Sequence, residues 1–138
     1  MDDALPDAVT LVVGAAIVHA GRVLAARRTS PPEAAGRWEL PGGKAETGES
    51  LADAVVREIR EELGCDIAVA ELLEGAQPIR PGYALRVAVA TLVAGEPVPR
   101  EHDAVRWLRA DQLDDVDWLT PDLPFLTTVR SHLAKAAP

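Results

Sequence analysis

Between Leu51 and Leu63 the chain carries a pattern that a helix satisfies and a strand does not. Ser50 can cap its start, Asp53 stands in its first turn, and Gly64 follows the last periodic residue, where a left-handed conformation is wanted. At a turn of about 100° per residue, Leu51, Ala52, Val55, Val56, Ile59 and Leu63 share one arc and face a core. Glu58, Glu61 and Glu62 fall on the adjoining arc, at i, i+3 and i+4. Like charges at i,i+4 destabilise a helix by about 0.2–0.5 kcal/mol per pair. Only Arg57, four residues before Glu61, offers a helical partner. A solvated acidic face is the ordinary reading of such a stripe. Here it borders the apolar arc instead of opposing it, and a glycine-rich loop precedes it. Carboxylates converging from one rigid helix supply the hard oxygen ligands that Mg²⁺ prefers, with further positions left to water and phosphate oxygens.

The charge balance fits that reading. With 14 basic and 22 acidic residues the net charge is −8, so an anionic substrate is better neutralised by a bound cation than by the protein surface. The same balance argues against duplex nucleic acid as a partner, which requires clustered Lys and Arg. The 138 residues suit one domain spanning 1–138, ending in a short, loose Ala/Pro tail at about 134–138. The longest uncharged apolar stretch, Ala8–Gly21, is shorter than the roughly 20 residues that span a bilayer. An acidic start, Met1-Asp2-Asp3, is unlike an export signal, and a single cysteine, Cys65, allows no internal disulfide. A cytoplasmic location is the expectation.

Val9–His19 and Val23–Ala26, separated by Ala20-Gly21, predict a hairpin of two largely buried strands. Thr29–Gly36 is a loop, and Trp38-Glu39-Leu40 a short strand stopped by Pro41-Gly42-Gly43. Ile67–Leu73, Tyr83–Val93 and Val105–Leu108 predict further strands, and Asp122–Leu133 a closing helix capped by Thr120 or by Asp122. Strands on both sides of an internal helix, followed by a terminal helix, predict an α/β fold with a mixed sheet covered on both faces.

Gly43, five residues, Glu49, seven residues, Arg57-Glu58-Ile59, any residue, Glu61-Glu62, any residue, Gly64-Cys65: this spacing resembles the Nudix box in full register. Seven fixed residue types match by chance on the order of 10⁻⁸ per window. The departure is Cys65, where the family usually has a bulky aliphatic residue; a free cysteine packs as a small hydrophobe. Gly36-Arg37-Trp38-Glu39-Leu40-Pro41-Gly42-Gly43-Lys44 is similar to the MutT-like branch. The segment Asp115–Leu126 resembles the cytidine-triphosphate pyrophosphohydrolases within that branch.

The resemblance implies a Nudix-type α/β/α sandwich in which Glu58, Glu61 and Glu62, with the Gly42 carbonyl, bind Mg²⁺ (or Mn²⁺). Glu101, six residues before Trp107, matches a further metal carboxylate outside the box. Glu61 and Glu101 are rival general bases. Glu49 and Arg57 match a pair that braces the loop against the helix, so Arg57 orients and does not catalyse. Arg28 and Lys44 are candidate phosphate contacts, and Asp122 either contacts the nucleobase or serves the helix start. Trp107 belongs to the core, Trp118 stacks on a base or packs in the core, and His102 is a surface or supporting residue. Pro81 and Tyr83 lie where single residues mark other Nudix branches, and are read as coincidence.

The expected activity is Mg²⁺-dependent cleavage of a (deoxy)nucleoside triphosphate to monophosphate and pyrophosphate. Its purpose would be sanitation of the nucleotide pool, acting on oxidised dGTP or on CTP, dCTP and their modified forms. The alternatives are hydrolysis of ADP-ribose or dinucleoside polyphosphates, and a Nudix-fold nucleotide sensor without turnover. The chain is expected as a monomer or homodimer with a nucleotide as its partner.

Overall fold

The computed structural model describes residues 9–136. In chain order the elements are β1 (Thr10–His19), β2 (Arg22–Arg27), β3 (Trp38–Glu39), β4 (Gly42–Lys44), α1 (Leu51–Leu63), β5 (Asp66–Leu72), β6 (Gln77–Arg80), β7 (Tyr83–Ala94) and β8 (Ala104–Leu108). Two 3₁₀ helices, Ala110–Asp115 and Thr120–Phe125, lead into α2 (Leu126–Ala136). The strands form one mixed sheet with the spatial order β3-β2-β1-β7-β5, to which β4 adds on β1, β6 on β7 and β8 on β2. Among the described strands only β1 and β7 pair in parallel, from Thr10–Tyr83 to Val18–Thr91, apart from one isolated parallel bridge between Trp38 and Trp118.

Alternation along the central strands divides the core. Val13, Ala15, Ile17, Ala88 and Ala90 face α1 and pack on its Ala54, Val55, Ile59 and Leu63. Ala16, Val87 and Val89 face the opposite side and pack with Phe125, Leu126, Val129 and Leu133 from the second 3₁₀ helix and α2. Both faces of β1 are therefore covered, which is why it reads as an apolar run without polar interruptions. Full burial of Val55, Ile59 or Leu63 stabilises by about 1.5–3 kcal/mol each.

Helix α1 has the predicted bounds. Ser50 Oγ accepts from the Asp53 amide at 3.0 Å, and Gly64, at φ 69°, donates its N–H to the Arg60 carbonyl. Its buried face includes Ala54, whereas Leu51, Ala52 and Val56 are only half-buried. Cys65 is buried beside them as a small apolar residue.

Three local expectations are corrected, and one strand is added to those expected. Pro41-Gly42-Gly43 does not merely end a strand, because Gly42–Lys44 pairs antiparallel with Val12–Gly14. Gln77–Arg80, with a proline inside it, is a short strand on β7. The closing helix is delayed: Thr120–Phe125 forms a 3₁₀ turn without a side-chain cap, so neither Thr120 nor Asp122 caps it, and α2 starts at Leu126. Pro124, inside that turn, lacks the N–H an α-helix would use. Finally, α2 continues to Ala136, so Ala134–Ala136 is helical; residues 137–138 of the expected tail lie outside the described residues.

Candidate active site

The site gathers where β4, the α1 stripe, the loop before β8 and the loop after β2 meet. The approach of β4 to β1 demands glycine. A Cβ on Gly42 would lie 1.7 Å from the Val13 carbonyl oxygen, and one on Gly43 2.2 Å from Glu58 Oε1. Two glycines thus bring a bare strand against β1 on one side and a glutamate on the other.

Arg57 organises the carboxylates. Its Nε and Nη2 donate to Glu49 at 2.7 and 3.0 Å, its Nη1 to Glu58 at 3.0 Å and Glu61 at 3.2 Å, and its Nη2 also to the Lys44 carbonyl at 3.0 Å. The guanidinium holds the Glu49 carboxyl down at about 2, and Glu49 Oε1 also accepts from the Glu46 amide. Loop, strand β4 and helix are tied through this one side chain.

Glu62 stands apart. Its Oε1 is buried without a hydrogen-bond partner. Burial pushes its carboxyl up to about 8, and the charges of Glu58, Glu101 and Glu39 add to that, against a weaker pull from Arg28. Burial also raises the Glu58 carboxyl, although Arg57 opposes the shift. Gly43, Lys44, Glu58, Glu61, Glu62 and Glu101 line one open cleft of 700 Å³. Among the described residues no three carboxylate, imidazole or thiolate groups close around one point, so the cleft is lined with acid and not sealed by it. An orphaned buried oxygen among like charges fits a divalent cation as its missing partner.

A second, apolar cleft of 510 Å³ adjoins the first, sharing Gly43 and Lys44 with it. Val12, Leu40, Ile79, Leu85, Leu119 and Pro121 supply its apolar wall, and Asp122 a buried acid. The chain after β8 reaches this place because the Trp38 amide donates to the Asp117 carbonyl and the Leu119 amide to the Trp38 carbonyl, at 2.9 and 2.8 Å. Asp122 Oδ1 then accepts from the Leu40 amide at 3.2 Å. Burial pushes the Asp122 carboxyl up to about 8, with the Glu39 charge adding to it.

That shift has a measurable consequence. From its ordinary value of 3.8 to about 8, the unfolded chain ionises Asp122 while the folded chain keeps the proton. The associated stability is therefore complete below pH 3.8, is lost as pH rises to about 8, and changes no further above that. Asp122→Asn keeps the acceptor for Leu40. In denaturant titrations it should match the parent chain at pH 4 and exceed it by at least about 1 kcal/mol at pH 9. An equal deficit at both pH values would contradict the assignment.

Arg28 lines the apolar cleft, its Nη1 donating to both oxygens of Glu39 at 3.2 and 3.1 Å and its Nε to the Ser30 carbonyl at 2.8 Å. Lys44 is exposed, its ammonium 5.4 Å from the Tyr83 ring centre, and the Arg80 guanidinium lies 3.8 Å from the same ring. Glu101 lines the carboxylate cleft, and its carbonyl accepts from Thr29 Oγ1. Trp118 is buried with its indole N–H on the Leu113 carbonyl, so it packs and does not stack on a base. Trp107 is only half-buried, packing on the α1-side core with its ring 5.8 Å from His19. His102 is not a surface residue: it is buried, with Nε2 2.8 Å from Glu39 Oε2. Glu39 was not among the expected site residues, although its charge, sitting in the apolar run Trp38–Leu40, was the available signal.

The sequence model of the NUDIX domain family matches residues 9–128. A Mycobacterium tuberculosis (strain H37Rv) protein with the provisional name 8-oxo-dGTP diphosphatase 2 is 44% identical over 130 residues, covering 92% of each chain. The CTP pyrophosphohydrolase of Escherichia coli K12 is 33% identical over 117 residues, covering 83% of this chain and 87% of that one. Among solved structures, a MutT NUDIX hydrolase from Burkholderia pseudomallei superposes with a TM-score of 0.68 at 37% identity, covering 86% of this chain and 95% of that one.

Proposed function

The chain belongs to the Nudix family and is a Nudix pyrophosphohydrolase, and from that premise we propose that it cleaves (deoxy)nucleoside triphosphates to monophosphate and pyrophosphate, sanitising the nucleotide pool. The observation that carries this reading is the pair of adjoining clefts, one lined by carboxylates and one by apolar walls, joined at Gly43 and Lys44. A substrate with a planar apolar end and a polyanionic end has the same division.

Glu58, Glu61, Glu62 and Glu101, with the Gly42 carbonyl, would hold Mg²⁺ or Mn²⁺. When bound, such an ion neutralises phosphate oxygens and acidifies a water. Arg57 keeps Glu58 and Glu61 facing the cleft. Arg28 and Lys44 orient the phosphates; the planar guanidinium of Arg28 suits paired oxygens. Glu61 and Glu101, both exposed and lining the carboxylate cleft, are the rival groups that would take the proton of the attacking water.

Asp122 supports a choice among bases. Held neutral in the apolar cleft, its carboxyl offers one donor and one acceptor. That pair complements the amino group and ring nitrogen of cytosine, or the N7–H and O6 of an oxidised guanine. Ordinary guanine presents two acceptors on that edge. The names of the two relatives, one for an oxidised dGTP and one for CTP, agree with both complements.

A kinetic panel of oxidised dGTP, dGTP, CTP, dCTP, 5-methyl-dCTP and ADP-ribose tests this reading. We expect pyrophosphate release, with kcat/KM for oxidised dGTP or a cytosine nucleotide exceeding that for dGTP by at least about 10-fold. Faster cleavage of ADP-ribose into two monophosphates would overturn it.

A further inference from the structure

Glu101 stands on the loop of irregular backbone at 95–103, between β7 and β8, so something other than secondary structure must hold its carboxylate at the cleft. One side of that loop is pinned to α1. The Val98 amide donates to the Leu63 carbonyl at 2.9 Å, the Arg100 amide to the Glu62 carbonyl at 3.2 Å, and Arg100 Nη1 to the Glu61 carbonyl at 3.1 Å. These contacts satisfy carbonyls that the helix end leaves open. The other side is pinned to the end of β2, where the Asp103 amide donates to the Arg27 carbonyl at 3.2 Å and Arg27 Nε to Asp103 Oδ1 at 2.7 Å.

Between those two anchorages stands His102. Its side chain is 5% exposed, Nε2 lies 2.8 Å from Glu39 Oε2, and Nδ1 is buried without a partner. A neutral ring in this setting carries its proton on Nε2 and donates to the carboxylate, since a buried N–H on Nδ1 would go unpaired. The same Glu39 receives the Arg28 guanidinium on both oxygens. Glu39 therefore joins the loop of Glu101 to the cation proposed for phosphate.

We infer that His102 is a positioning residue: through its hydrogen bond to Glu39 it latches the 95–103 loop and sets Glu101 against the α1 glutamates. This rests on the reading of Glu101 as a metal carboxylate. A residue acting only through Glu101 has no effect once Glu101 is gone, whereas a residue that merely stabilises the fold acts regardless.

A double-mutant cycle decides the point, read by calorimetric Mn²⁺ titration of the substrate-free protein and by steady-state kinetics on its best triphosphate. Alone, H102A should weaken Mn²⁺ binding and lower kcat by about 10-fold or more, with KM nearly unchanged. H102Q, which keeps an N–H donor at similar reach, should recover most of the loss, and H102N, which is too short, should not. In an E101A background H102A should change neither quantity further. Multiplying effects of E101A and H102A, or an H102A protein altered only in melting temperature, would overturn the latch. H102N supplies the same comparison if H102A folds poorly. Absence of both Mn²⁺ binding and turnover in the wild-type protein would instead remove the parent reading, and the latch with it.

Discussion

Glu62→Gln should lose turnover and gain thermal stability. Partners that only support metal ligands typically cost 10–100-fold on mutation, so loss of a direct ligand should lower kcat by more than about 100-fold. The opposite effect on stability follows from the same surroundings. Burial and the charges of Glu58, Glu101 and Glu39 hold the Glu62 carboxyl at about 8 against an ordinary 4.5, so its ionisation weakens the folded chain increasingly as pH rises through that window. A glutamine has no charge to repel. In metal-free protein above pH 8 the variant should melt higher than the wild type, and Mn²⁺ should narrow or reverse the gap. A variant that melts lower while keeping its turnover would contradict the reading of Glu62 on both counts.

Two neighbouring glycines should fail in different ways. A methyl group on Gly42 meets backbone, 1.7 Å from the Val13 carbonyl oxygen and 2.9 Å from Gly14 Cα. Neither atom can move without opening the pairing of β4 with β1, so Gly42→Ala should cost about 3 kcal/mol or more, at the upper end of overpacking effects. A methyl group on Gly43 meets the end of one side chain, with Glu58 Oε1 at 2.2 Å and Cδ at 2.4 Å. The carboxylate can swing aside, which spares the fold and spoils the cleft. Gly43→Ala should therefore retain most of its stability and lose at least about 10-fold in kcat. Gly48, with positive φ and no neighbour within 4 Å, is the control. Its alanine variant should lose about 1–2 kcal/mol for the left-handed backbone alone, with activity unchanged. Denaturant titration and initial rates on the three proteins separate these outcomes. Equal losses of stability in the two neighbouring variants would refute the division.

What could be read before folding was whatever is encoded locally. The α1 boundaries lie in Ser50 and Gly64, and the acidic stripe lies in a spacing that a helix converts into a face. The β1–β2 hairpin is legible for the same reason, its turn being Ala20-Gly21. The strands β4 and β6 escaped because each owes its state to a long partner strand: Gly42–Lys44 has no strand propensity of its own, and Gln77–Arg80 contains a proline. Likewise the 3₁₀ turn at Thr120–Phe125 reflects Asp122 being drawn to the Leu40 amide, a partner 82 residues away. The Glu39–His102 bond joins residues 63 apart and leaves no periodic trace. A face carried by one helix was visible, and contacts that connect separate loops, such as Glu39–His102, needed the assembled sheet.

Carboxylates presented by one helix should bind a divalent cation beside the apolar cleft. Calorimetric titration of Mn²⁺ into the substrate-free wild type, E58Q and E62Q tests this most directly. The wild type should take up Mn²⁺ saturably, and each variant should bind at least about 10-fold more weakly with folding intact. No uptake by the wild type, or equal affinity in all three proteins, would contradict it.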